Sequence, residues 1–287
     1  MSSQVSCITF NNVFCNDLLF CIAQYLGDKD ACRLFNTSKT TNTLVKKLKR
    51  YQIKSVITDK MYIPSHFQII EMRTESKFAN IPSSLSRLIM CGSFDEPLSL
   101  PSRLKYLELH GNFNLVATQM PNTMRTINVN DLIGDVEFPV GVENVQINNC
   151  PGINTDKLPS TVKYLKISGN FNRFIDYLPD KLLHLTLSNN FNQTVPFLPA
   201  GLKHLVFGYN FNQLVDELPL NLTHLLFGRC FNQSLEKLST SHITYLTLGD
   251  DFDHPLPEFP KLMVLYISRY YSHSLNHLPK STKIFFV

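Results

Sequence analysis

His184, His204 and His224 recur twenty residues apart, and each sits one residue before a leucine: Leu185, Leu205 and Leu225. In other copies of the same pattern the equivalent position holds Tyr106, Thr126, Asn144, Tyr164 and Tyr245. Regularly spaced imidazoles can ligate a metal, titrate near neutral pH, or lend flat rings to a contact surface. A metal is disfavoured. If each copy supplies one strand, the rings form a straight line at intervals of ~5 Å. Such a line cannot enclose a tetrahedral ion, and no acidic fourth ligand recurs beside it. Two readings remain: a binding stripe made pH-sensitive by its imidazoles, and a ladder whose flat rings only pack on their neighbours. With Lys166 and Arg229 alongside, the row has the composition of a protein-contact surface. Aromatic and basic residues also interleave in single-strand nucleic-acid sites. Here, however, cations are scattered among acids and the net charge is only +4, so nucleic acid is the weaker partner. The candidate partner-binding residues are Tyr106, Tyr164, Lys166, His184, His204, His224 and Tyr245, on a concave face turned to a protein target.

Other chemistry finds little support. No Walker loop, dinucleotide-binding glycine motif, nucleophile elbow or His-Glu-x-x-His motif occurs. Acids keep no paired position along the repeats, which argues against two-carboxylate hydrolysis. The seven cysteines (7, 15, 21, 32, 91, 150 and 230) form no Cys-x-x-Cys pair and suit neither a disulfide framework nor a zinc site. The expectation is a non-enzyme with no catalytic residue, cofactor or metal, its thiols reduced in a cytoplasmic or nuclear compartment. The opening Met-Ser-Ser-Gln-Val-Ser lacks the apolar stretch of a signal peptide. No run approaches the ~18 apolar residues of a membrane helix, so no membrane contact is expected.

What must position the histidines is a short repeat. Pro101, Pro121, Pro139, Pro159, Pro179, Pro199 and Pro219 open successive copies; Pro64 and Pro82 extend the series upstream. Ser239 keeps the beat without the proline, and Pro260 and Pro279 resume it. Each copy reads Pro-x-x-Leu-x-x-Leu-x-Leu, a polar stretch, then Phe-Asn; the copy at Pro179 supplies Leu182, Leu185, Leu187, Phe191 and Asn192. Alternation at Leu-x-Leu predicts a short strand. A fixed short period predicts a solenoid of stacked strands with a core shared between copies. Phe and the apolar residue before the next Pro should close that core from the other side, and twenty residues leave no room for a return helix. Proline belongs where the chain turns, since it has no amide hydrogen to give a sheet. Asn112, Asn170, Asn190 and Asn210, with Cys150 and Cys230, fall where leucine-rich repeats carry an inward Asn or Cys. The Asn-Gln pairs at 192–193, 212–213 and 232–233 should bond turn to turn.

Residues 1–50 do not follow the repeat. Asn16-Asp17 can cap a helix with Leu18, Leu19, Ile22, Tyr25 and Leu26 on one face, and two more short helices should follow. The fold class expected is α+β: a small helical head over 1–50, then a leucine-rich-repeat-like solenoid over 51–287 with one short parallel strand per ~20-residue repeat.

The array, over about 64–287, resembles the FNIP repeat, a leucine-rich-like unit named for its Phe-Asn motif; Phe191-Asn192-Gln193, Phe211-Asn212-Gln213 and Phe231-Asn232-Gln233 carry the likeness. The head, over about 10–50, resembles an F-box through Asp17, Leu18, Leu19, Ile22, Tyr25, Leu26, Asp30, Leu34, Ser38, Lys39 and Leu44. Phe14-Cys15 stands where that family has Leu-Pro. The combination is similar to F-box and FNIP repeat-containing proteins of giant viruses and slime moulds. The resemblance implies a substrate receptor of a cullin-RING ubiquitin ligase: Leu18, Leu19, Ile22, Tyr25 and Leu26 would meet the cullin-adaptor subunit, and the concave repeat face the target. The alternative is a non-catalytic scaffold or decoy for a host protein, its head only capping the solenoid.

Overall fold

Each Leu-x-Leu alternation becomes one strand, because alternate side chains point to opposite faces and only one face is buried. The structure is a computed structural model. It describes residues 81–287 apart from 82, 93–96, 112, 114–118, 131–135, 150–152 and 240, together with the backbone of four short upstream strands. The helices expected over 1–50, with Leu18, Leu19, Ile22, Tyr25 and Leu26, lie outside the described residues.

The strands are β1 (Gln52–Ile53), β2 (Val56–Ile57), β3 (Gln68–Ile69), β4 (Glu71–Thr74), β5 (Arg87–Cys91), β6 (Tyr106–His110), β7 (Thr126–Asn130) and β8 (Asn144–Asn148). They continue with β9 (Tyr164–Ile167), β10 (His184–Thr186), β11 (His204–Val206), β12 (His224–Leu226), β13 (Tyr245–Thr247), β14 (Val264–Ile267) and β15 (Lys283–Phe286). β2 and β4 to β15 form one 13-stranded sheet in chain order, with every neighbour parallel. Among the described residues β1 pairs with β3 alone, an arrangement that no Leu-x-Leu signal announces. Among the described residues the return path holds no α-helix, only the 3-10 turns Thr155–Lys157 and Glu236–Leu238.

The Pro-x-x-Leu signature is a turn closed by a hydrogen bond. The amides of Val162, Leu182, Leu202 and Leu222 donate to Pro159, Pro179, Pro199 and Pro219 carbonyls at 3.0, 2.9, 3.0 and 2.9 Å. Proline sits at the accepting end, so its missing N–H costs nothing. Two amides after each turn then reach the preceding copy: Lys203 and His204 both donate to the Leu183 carbonyl, at 2.9 and 3.0 Å.

Register corrects two sequence assignments. Leu225 pairs with Leu246, and Leu246 with Leu265. Counting back six residues from Leu265 places that turn start at Phe259, not at Pro260, and the step from Leu225 to Leu246 puts the beat at Ser239 one residue early. The Leu262 amide accordingly donates to the Phe259 carbonyl at 3.1 Å, and Phe259 is buried. An apolar side chain in the right slot serves the turn better than a displaced proline.

Inside, Leu107, Ile127, Val145, Leu165, Leu185, Leu205, Leu225, Leu246 and Leu265 stack in register and are buried. Phe171, Phe191, Phe211, Phe231 and Phe252 form a second buried row on the far side, with successive ring centroids 6.0–6.1 Å apart.

The inward-asparagine expectation is overturned. Asn170, Asn190 and Asn210 are exposed and Cys230 is half-exposed; positions 112 and 150 lie outside the described residues. Phe, one residue later, takes the interior slot. The amides still bond between turns, but outside the core: Asn190 Nδ2 donates to Asn170 Oδ1 at 2.8 Å, and Asn210 Nδ2 to Asn190 Oδ1 at 3.1 Å. The Phe-Asn asparagines do more. Oδ1 of Asn172, Asn192 and Asn212 accepts the backbone amide of Asn192, Asn212 and Asn232 at 2.8, 2.9 and 2.9 Å. It also accepts Nε2 of Gln193, Gln213 and Gln233 at 3.2, 3.1 and 3.1 Å. This ladder satisfies backbone donors that the short strands leave unpaired.

Candidate functional site

The side chains opposite the leucine row stand on the open face of the sheet. Strand register brings the expected residues together: Tyr164 pairs with His184, His184 with His204, His204 with His224, and His224 with Tyr245. The five rings stack almost parallel. Their centroids are 4.3, 4.1, 4.1 and 4.3 Å apart, with interplanar angles of 17°, 13°, 26° and 10°. The spacing is shorter than the ~4.8 Å between strands, so the rings lean into contact. Tyr106 lies on the same face, beyond Thr126 and Asn144 on β7 and β8. Lys166 projects from β9 one outward position along from Tyr164. Arg229 sits instead on the rim after β12, 3.2 Å from Tyr209 Oη and 3.7 Å from carboxylate oxygens of Asp250 and Asp251.

Stacking sets the protonation of the row. Burial against neighbouring rings lowers the pKa of His184, His204 and His224 below the ordinary 6.5. The other imidazoles reinforce this at His184 and His224, and the Lys203 ammonium does so at His184 and His204. The imidazoles are therefore neutral at pH 7, each with one donor and one acceptor nitrogen. Thr223 Oγ1 lies 2.9 Å from His224 Nδ1 and orients that ring. Among the described residues, no group of three His, Cys, Asp or Glu side chains converges as a metal site would require.

Toward the amino-terminal end the face becomes polar. Arg87 lies over the Tyr106 ring, 3.7 Å from its centroid, and Tyr106 Oη donates to Glu108 Oε2 at 2.6 Å. Glu108 also approaches His110 Nε2 at 2.9 Å. Burial, with the Glu108 hydrogen bond, raises the Tyr106 pKa. Sequence reading named Tyr106 but missed this cluster: Glu108 and His110 follow Tyr106 at alternate positions of β6, and Arg87 reaches them only through its register with Tyr106. Between Tyr106 and Tyr164 lies a trough of about 270 Å³, walled by those tyrosines and lined by Asn128, Asn144, Gln146 and Lys166. It exists because Thr126 and Asn144 are short where their neighbours carry rings.

Among the described residues, no helix is long and apolar enough to cross a membrane. No family model and no curated protein matches the chain. Among solved structures the chain is similar to CroV588, a giant-virus protein with a circular leucine-rich-repeat structure. The TM-score is 0.50 and the identity 23%, over 80% of this chain and 44% of that one. The chain thus spans less than half the length of that neighbour. The likeness is one of fold: a solenoid of parallel strands of the leucine-rich-repeat type.

Proposed function

We propose that this chain is a non-catalytic protein-interaction module whose open sheet face binds a protein target. The observation that carries this reading is the continuous row Tyr164, His184, His204, His224 and Tyr245. Five flat rings immobilise one another before any partner arrives, so they offer contact area at little further entropy cost. Neutral imidazole edges add donors and acceptors without the desolvation cost of a charge. The FNIP-like array and F-box-like head extend the proposal: residues 1–50 are a helical head that binds a cullin-adaptor subunit, and 51–287 the array that binds the target, making the chain a substrate receptor of a cullin-RING ubiquitin ligase.

A pull-down of purified adaptor subunit by the full chain, wild type and Leu19→Lys, tests the extension. Retention by wild type and loss with the variant, at unchanged melting of the repeats, is the expected result. No retention by wild type at micromolar concentration removes the ligase role. It leaves the scaffold or decoy reading, in which Phe14-Cys15 in place of Leu-Pro marks a head that only covers the end of the solenoid.

A further inference from the structure

We infer that the partner segment taken by the sheet face is acidic, with a carboxylate side chain seated in the trough between Tyr106 and Tyr164, against Lys166. This rests on the sheet face being the binding surface and adds the chemistry of what it binds.

Charge placement is the first support. Among the described residues, the outward strand positions from β7 to β14 hold no acid, and Lys166 is their only formal charge at neutral pH; on β6, which supplies the Tyr106 wall, the outward Glu108 is engaged by Tyr106 Oη at 2.6 Å and by Arg87 at 3.8 Å. No carboxylate of a described residue pairs with Lys166. The rim immediately before the strands repeats the bias: Lys105, Arg125, Lys163 and Lys203 precede β6, β7, β9 and β11, against Glu143 before β8. Glu143 is engaged by Lys163 at 2.9 Å. A face with cations and no free carboxylate attracts an anionic segment and repels a basic one.

The trough supplies the fit. Arg87 covers one face of Tyr106 and His184 one face of Tyr164, so the opposite ring faces look into the gap. Three strand spacings separate them, about 14 Å, which admits a side chain and the backbone beside it. Asn128, Asn144 and Gln146 line the floor with side-chain amides, Asn144 Nδ2 also reaching Thr126 Oγ1 at 3.4 Å and Asn128 bonding Tyr106, and Lys166 adds an ammonium, groups able to donate to carboxylate oxygens. A nucleic acid fits less well. Bases need a succession of open ring faces; within the histidine row these are covered by each other at 4.1–4.3 Å, which leaves the Tyr106 and Tyr164 faces at the trough.

The test selects peptides from a random library on the immobilised full chain, then measures labelled peptides by fluorescence anisotropy. The chain is used as wild type and as Lys166→Gln, Lys166→Glu, Asn144→Phe and Arg173→Glu. Asn144→Phe fills the trough without changing charge; Arg173→Glu makes the same charge change as Lys166→Glu but off the face. Melting curves confirm that each variant folds. The expected result is selection of Asp- and Glu-rich peptides whose affinity falls about tenfold or more with Lys166→Glu and Asn144→Phe. It should fall less with Lys166→Gln and hold with Arg173→Glu. Peptides without acidic enrichment that still lose binding with a His204→Ser variant overturn this inference and leave the face as the binding surface. Acidic peptides weakened equally by Arg173→Glu overturn it as non-specific attraction. Displacement of the peptides by oligothymidylate at lower concentration than by free acidic peptide overturns it in favour of nucleic acid. Selected peptides indifferent to every face variant overturn both the inference and the sheet-face reading.

Discussion

At His184, His204 and His224, mutual burial makes the neutral ring the stable form, and stability follows from that. The folded-state pKa values lie below the ordinary 6.5, so below that value the unfolded chain binds protons that the folded chain resists. Stability should therefore be full above about pH 6.5 and be lost as pH falls through the window beneath it. Thermal melting at descending pH should show this fall, and His184, His204 and His224 all changed to Gln should remove most of it. An equal acid response in wild type and variant would assign the fall to other groups. The Phe-Asn ladder gives a second residue-scale prediction. Asn212→Ala removes the acceptor for both the Asn232 amide and Gln233 Nε2. Gln233 Nε2 keeps the Asn212 carbonyl at 3.3 Å and Asn232 is exposed, so the loss should cost about 0.5–1.5 kcal/mol, read from denaturant unfolding, whereas Asn210→Ala, outside that ladder, should cost less.

At the scale of one repeat, the controlling quantity is how closely successive turns approach. Gly208 stacks on the preceding copy so tightly that a Cβ there would overlap the Ser188 carbonyl oxygen. Gly208→Ala must push two turns apart and should destabilise by roughly 1–3 kcal/mol, the usual cost of overpacking. Gly201→Ala, where a Cβ would meet only ordinary contacts at 3.8 and 3.9 Å, should be near neutral. Equal melting of the two variants would contradict the stacking account. Strand positions were legible in the sequence because Leu165, Leu185, Leu205 and Leu225 mark both period and face. The ring row was legible for the same reason: a ladder position repeats with its strand. Ser239 and Pro260 misled because proline marks a turn only when its register is right. Asn190 and Asn210 misled because position alone cannot say whether the amide or the neighbouring Phe turns inward; the larger apolar ring wins. The trough follows from the short side chains of Thr126 and Asn144, and becomes visible only once Tyr106 and Tyr164 are known to share their row.

At the largest scale, the leucine and phenylalanine rows join the described copies, from Leu85 to Leu278, into one continuous core, and neighbouring copies are the main source of each copy's stability. Leu205, fully buried in the middle, is the position where that coupling is greatest. Leu205→Asp places an unpaired charge in the core at a cost of several kcal/mol, comparable to the ~5–15 kcal/mol of a whole domain. Circular dichroism should show the array lost cooperatively, and an unchanged melting transition would contradict the shared core. The same continuity makes the sheet face one rigid surface, and the account's central claim is that its ring row carries the binding. The most direct measurement is the affinity of a captured target for wild type and for the triple variant His184→Ser, His204→Ser and His224→Ser, with melting followed in parallel. The account predicts binding at least about tenfold weaker, roughly 1.4 kcal/mol, with the leucine core still folded. Equal affinity of the two proteins would contradict it and place the target elsewhere on the array.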